Sequence, residues 1–213
     1  MLNLPSSTEF GRRVPKQKFY EHLDVSPEVK RLFIDQIKLI TWANKLSPQT
    51  MNLGAGQTVT EIEVFHIRLA GQELDKRTLE LMDRQIPYHI LFVLERPDGQ
   101  MQLRISYKEA AQSGDHAFRL RQSYATEFAP PESLTLPLDA LDMDGLYASI
   151  VRAIAGDALA APEQPLEQAV AQAQEKEKLQ RQITQLKAKM KKEKNLGKQM
   201  ELRREIRRLE DRM

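Results

Sequence analysis

Glu61 and Glu63 stand two residues apart in the segment Glu61 to Leu69 (EIEVFHIRL), whose β-branched and aromatic content predicts a strand. Side chains alternate across a sheet, so both carboxylates are expected on one face. Paired carboxylates are the donors a hard divalent cation takes, and with Asp35 or Asp75 and Lys45 they would sketch a Mg²⁺-dependent nuclease. The spacing argues against it: the residue two after Glu63 is Phe65, where a Glu-x-Lys pattern would place a lysine. A solvated strand face or ion pairs is the plainer use of these glutamates. They are the only catalytic candidates retained.

Other chemistry-bearing types are sparser. Of the four histidines, His22, His66, His89 and His116, none is spaced from another as two metal ligands on one helix. His66 and His89 fall in predicted strands and could meet across a sheet. Ser47 and Ser106 lack a nucleophile elbow. Gly54-Ala55-Gly56 precedes a strand rather than a helix, so it does not read as a phosphate cradle. The absence of cysteine removes disulfides, thiolate catalysis and zinc–thiolate sites. No cofactor is expected.

Charge is placed unevenly. The 213 residues carry a formal net charge of +2. From Glu163 to Met213, however, 14 Lys and Arg face 9 Asp and Glu, a net +5, which leaves −3 on the remainder. The cations Lys187, Lys189, Lys191, Lys192, Lys194, Lys198, Arg203, Arg204, Arg207, Arg208 and Arg212 could neutralise phosphates. They could equally be the solvated side of a helix. Lys45, Arg68, Arg104, Arg119 and Arg121, with Phe118 and Tyr124 interleaved, could make a basic sheet face for single strands, or simply the outward half of alternating strands.

The elements that must position these residues follow from periodicity and turn chemistry. Residues 1–15 read as an extended lead-in, Lys16 to Leu23 as a short helix, and Ser26-Pro27-Glu28 as the start of a helix running through Ile37. Strands are predicted at Lys38–Leu46, Glu61–Leu69, Tyr88–Glu95, Met101–Tyr107 and Ala117–Phe128, with a short edge strand at Leu134–Leu138. Pro97-Asp98-Gly99 turns the third of these into the fourth as an antiparallel hairpin. Helices are expected at Leu74–Ile86 and Leu141–Ala155. The class is α+β, with a mostly antiparallel mixed sheet, flanking helices and a C-terminal coiled-coil-like tail. The division is residues 1–155 for the α+β domain, 156–165 for a linker and 166–213 for the basic tail.

In the tail, Leu179, Ile183, Leu186 and Met190 follow heptad spacing. Leu202, Ile206, Leu209 and Met213 repeat it in shifted phase, with a break near Asn195-Leu196-Gly197. Either one helix carries a stutter there or it folds back as a helical hairpin. Two heptads a side is short for an independent coiled coil, so this seam is expected to meet itself, a second copy or another protein. The amino-terminal residues predict no signal peptide, and the longest apolar run, Ile90–Leu94, is far short of a bilayer span. A cytoplasmic protein without a membrane partner is expected.

Arg13-Val14-Pro15-Lys16 with Phe19-Tyr20, Ile40-Thr41-Trp42-Ala43-Asn44-Lys45-Leu46 and Val59-Thr60-Glu61-Ile62-Glu63-Val64-Phe65 resemble blocks of an uncharacterised bacterial family of the domain-of-unknown-function kind. Lys191-Lys192-Glu193-Lys194-Asn195 followed by Glu201-Leu202 is similar to that family's C-terminal end. The resemblance implies genes beside helicases and DNA methyltransferases of restriction-like and phage-defence systems. It supplies no catalytic residues. The expectation is a non-catalytic accessory protein that partners such an enzyme or self-associates through the tail. A nucleic-acid-binding subunit is the alternative, and a Mg²⁺-dependent nuclease the second alternative.

Overall fold

The computed structural model describes residues 2–21, 25–110, 118–159 and 164–212. It separates into two compact units, Met1–Asp157 and Ala158–Met213. No helix among the described residues is long and apolar enough to cross a membrane.

The first unit is built on a six-stranded sheet of β1 (Glu9–Arg13), β2 (Ile37–Leu46), β3 (Ile62–Leu69), β4 (His89–Glu95), β5 (Met101–Ala110) and β6 (Phe118–Ala125). The strands lie side by side in chain order. Every neighbouring pair is antiparallel except β3 and β4. A parallel pair cannot be joined by a tight turn. The connection here carries a helix, α3 (Lys76–Gln85), which starts on Asp75, whose carboxylate accepts from the Arg77 amide at 2.9 Å.

Both faces of the central strands are covered, which explains why β3 is apolar in both phases. On one face Phe65 and Ile67 of β3 and Phe92 and Leu94 of β4 share a core with Met82 of α3 and Phe33 of α1 (Pro27–Gln36). On the other, α4 (Met143–Ala155) packs against β5 and β6 and buries Leu146, Ile150 and Val151. Helix α1 opens as its sequence demands, with Ser26 Oγ accepting from the Val29 amide and Pro27 in the first turn. It runs straight into β2 without a connecting residue.

Several local expectations give way to tertiary contacts. The lead-in contains a strand, β1, whose pairing with β2 shifts register between Glu9 and Arg12 around Gly11, at φ +62°. The predicted helix Lys16–Leu23 is a 3-10 turn, Lys16–Phe19, and His22 lies outside the described residues, as do His116 and the start of the segment predicted from Ala117. Leu134–Leu138 is not a strand. Leu134 and Leu136 are buried, but the Leu136 backbone is met by one side chain: its amide donates to Asn3 Oδ1 at 3.1 Å and its carbonyl accepts from Asn3 Nδ2 at 3.2 Å. An amide that mimics a strand satisfies the groups a ladder would have used.

The loop before β3 is held by an internal anion. The Asp144 carboxylate accepts from the amides of Gln57 at 2.7 Å and Val59 at 2.8 Å and from Thr58 Oγ1 at 2.9 Å. Gly56 has no room for a side chain, since a Cβ would stand 2.5 Å from the Val59 carbonyl and 2.7 Å from Asp144 Oδ1. The glycine-rich stretch thus cradles a carboxylate of its own chain.

One charge pair is sealed inside this unit. Lys108 of β5 and Asp83 of α3 are 4% and 1% exposed, with Nζ and Oδ1 2.6 Å apart. The ammonium also donates to the carbonyls of Asp83 at 2.9 Å and Tyr88 at 2.7 Å. Burial drives Lys108 down from its ordinary pKa, with the Asp83 charge opposing. Removing one partner of such a pair strands the other charge. Lys108→Met is expected to lower unfolding free energy by about 3–5 kcal/mol in urea titrations, and Lys108→Met with Asp83→Leu to recover most of that loss.

Candidate functional site

Strand β3 turns Glu63 to the face occupied by α1 and α3, and Glu61 immediately precedes the strand. Lys45 of β2 lies directly opposite Glu63 in the ladder. Trp42 joins them through a bulge: register shifts between Trp42 and Asn44, so residues three apart in sequence reach the same face. Trp42 Nε1 donates to Glu63 Oε2 at 2.7 Å, and Lys45 Nζ lies 2.5 Å from Glu61 Oε2. The Trp42 ring is flanked by Phe10 of β1, 4.2 Å away between centroids, and by Phe65 at 5.9 Å.

Glu63 is 1% exposed, and its Oε1 has no hydrogen-bond partner among the described residues. Burial, reinforced by the Glu61 charge, pushes its carboxyl from the usual 4.5 up to about 7, against the Trp42 hydrogen bond and the Lys45 charge. Lys45 is held charged above its ordinary range, chiefly by its hydrogen bond to Glu61. The cluster is therefore a carboxyl that changes charge near neutrality beside a satisfied ion pair.

Its fit to a divalent cation is poor. The Lys45 ammonium is already paired with Glu61 Oε2 and would compete with a cation there. Asp75 is committed to capping α3 and to Arg77 Nη2 at 2.8 Å, while Asp35 stands exposed on α1. Among the described residues no three His, Cys, Asp or Glu side chains converge as metal ligands.

The remaining candidates fall into structural places. His66 Nε2 sits 2.6 Å from Glu95 Oε2, on the face of β3 opposite Glu63. His89 is buried between Tyr147 and Phe118, with ring centroids 4.3 and 4.8 Å away, and burial followed by the Lys108 charge lowers it to about 4. The two histidines do not meet. Ser106 shares a hydrogen bond of 2.9 Å with Ser123, and Ser47 closes a capping box on α2 (Pro48–Met51). Of the proposed basic sheet face, Lys45, Arg68 and Arg121 are each paired, with Glu61, Glu95 and Glu109. Arg68 also points away from Lys45, and Tyr124 is buried, so no stacking platform forms from this set.

In the second unit, α5 (Leu166–Lys192) and α6 (Leu196–Glu210) fold back on each other. Lys187 Nζ reaches Glu210 Oε1 at 2.7 Å, and Arg212 lies 3.7 Å from Glu175, so the helices run antiparallel. The turn is capped twice: Glu193 Oε1 accepts from the Lys194 and Asn195 amides at 2.9 Å, and Asn195 Oδ1 accepts from the Lys198 amide at 3.1 Å. Of the apolar seam, Leu179, Ile183, Leu202 and Ile206 are buried and Leu186, Met190 and Leu209 half-buried; Met213 lies outside the described residues. The seam closes within one chain.

Outside it, Lys189, Lys191, Lys192, Lys194, Lys198, Arg203, Arg204, Arg207 and Arg208 are all exposed, and none forms an ion pair among the described residues. Leu196 and Met200, at the turn, are 74% and 47% exposed. The half-buried Trp42 neighbour of Glu63 was hidden from sequence by the bulge, since strict alternation sends Trp42 and Lys45 to opposite faces.

Trp42 is the chain's single tryptophan, so it reports on Glu63. Its fluorescence is expected to titrate with a midpoint near pH 7, and Glu63→Gln to flatten that curve. The folded carboxyl keeps its proton up to about 7 while the unfolded one releases it near 4.5, so stability falls as pH rises through that interval. Chemical denaturation at pH 5 and pH 8 should show a loss on the order of 2 kcal/mol in the native protein and a smaller one in Glu63→Gln.

No curated protein and no solved structure matches the chain. Residues 2–213 match a family model described as a domain of unknown function, DUF4391. The match runs through the sheet, the Trp42–Glu63 cluster and both tail helices. The chain belongs to the DUF4391 family.

Proposed function

We propose that this protein is a non-catalytic, cytoplasmic accessory subunit that holds nucleic acid on the outer surface of the α5–α6 hairpin. Its enzyme partner, on the family resemblance, is a helicase or DNA methyltransferase of a phage-defence system. One observation carries the reading: the hairpin's apolar seam is satisfied internally, while Lys189, Lys191, Lys192, Lys194, Lys198 and the four arginines of α6 stay exposed and without ion pairs among the described residues. Solvated cations of this density lower the cost of approach to a polyanion and release its counterions on contact. Arginines 203 and 207, and 204 and 208, lie one turn apart, so they form two rows along α6.

Fluorescence anisotropy of labelled duplex DNA across 50 to 200 mM salt tests this. Affinity is expected to fall steeply with salt. Converting Arg203, Arg204, Arg207 and Arg208 to Gln is expected to reduce the slope of log affinity against log salt by about 3–4 on duplex DNA if all four meet phosphates. Circular dichroism should show the hairpin still helical. Absence of binding at the lowest salt, or an unchanged slope, refutes the proposal.

A second reading, docking of a protein partner, is favoured by exposed Leu196 and Met200 at the hairpin turn. Under it, Leu196→Ser with Met200→Ser loses an enzyme that co-purifies with the native chain. The arginine-to-glutamine variant retains that enzyme.

A further inference from the structure

The sheet carries a second feature that neither the hairpin nor the glutamate cluster uses. Gln102 and Arg104 of β5 lie on the face of the sheet that α3 covers, opposite Leu94 and Phe92 of β4. With Arg96, Phe128 and the segment Gln72–Leu74 they line a cleft of about 180 Å³.

The two arginines are held in different ways. Arg96 is fixed on two sides: Nε donates to the Gln72 carbonyl at 2.7 Å, and the guanidinium carbon lies over the Phe128 ring, 3.5 Å from its centroid. Stacking and a committed Nε hold the fork in one orientation and leave its terminal nitrogens for another acceptor. Arg104 is half-buried, and its guanidinium makes no hydrogen bond or ion pair among the described residues. Burial pulls it below its ordinary range, with the charge of Glu80 opposing. A partly desolvated guanidinium without an acceptor is costly, and an oxyanion is the group that removes the cost. Gln102 is held by its own hydrogen bond from Nε2 to the Thr126 carbonyl, 2.7 Å.

We propose that this cleft binds a small oxyanion, the phosphoryl or carboxylate group of a small molecule, between Arg96 and Arg104. The volume is worth about six waters, which leaves room beyond the anionic head for an attached group against Leu74 and Leu94. Glu73, an exposed residue, also lines the cleft and disfavours a second negative charge beside it, so the remainder of the ligand is neutral or cationic. The proposal is independent of the hairpin.

Side-chain arginine Nε–Hε resonances of the full-length protein test it, followed by NMR at fixed ionic strength. The probes are inorganic phosphate, glycerol phosphate and acetate, each added in exchange for chloride. The Arg96 and Arg104 signals are expected to shift saturably, with half-saturation in the millimolar range or below. Arg104→Gln is expected to raise that concentration at least tenfold while keeping the amide spectrum of the fold. Arg96→Gln should do likewise. Saturation by glycerol phosphate well below acetate identifies a phosphoryl ligand, and the reverse identifies a carboxylate; both support the site. A drift linear in concentration for all three anions, or equal saturation in Arg104→Gln, overturns it.

Discussion

The parallel pairing of β3 with β4 is the constraint from which most of the first unit follows. It forbids a hairpin at that point and requires a crossover element, which the chain supplies as α3. Once α3 lies across the sheet, both faces of the central strands must be covered, and α1 and α4 complete the layers. The sealed Lys108–Asp83 pair is the tie between that crossover helix and β5. Its two charges are tolerated because the ammonium also reaches two backbone carbonyls, which satisfies donors a bare pair would leave open.

The second unit answers a different problem with equally local means. A stripe of two heptads cannot stand alone in water, and this chain covers it with its own second half. Capping by Glu193 and Asn195 lets the turn be made in three residues between Lys192 and Leu196. Because most of the apolar side is used up inside, the outward chemistry of the hairpin is polar and net basic, with exposed cations outnumbering exposed acids. That contrast between a closed seam and an open basic surface is the physical basis of the functional proposal.

Much of the sheet was legible. The spans of β2 to β5 and the helices α1, α3 and α4 follow from alternation, capping residues and turn chemistry, which are local. What escaped was set by partners distant in sequence. Glu9–Arg13 is polar and interrupted by glycine, and becomes a strand only because β2 offers it an edge. Leu134–Leu138 alternates like a strand, yet Asn3 takes the hydrogen bonds a neighbour would have taken. At the candidate site, Glu61 and Glu63 share a face as their spacing requires, and Lys45 meets Glu61. The contact of Trp42 with Glu63, however, depends on a bulge that no residue type announces. Asp35 and Asp75 were drawn in by their chemistry alone, and neither capping nor helix position leaves them near the pair.

The junction of α1 with β2 has a consequence for how the protein tolerates change in length. Gln36 ends the helix and Ile37 begins the strand, so nothing between them can absorb an added or deleted residue. One residue inserted there would rotate the helix about its axis by roughly 100° relative to the strand. Compensating by sliding β2 instead would exchange its inward and outward sets, moving Ile40 out of the core and Lys45 away from Glu61. A change in chain length is better absorbed by the long loop after β2 and by the connections around α3, while the helix–strand joint acts as a fixed ruler for the whole sheet.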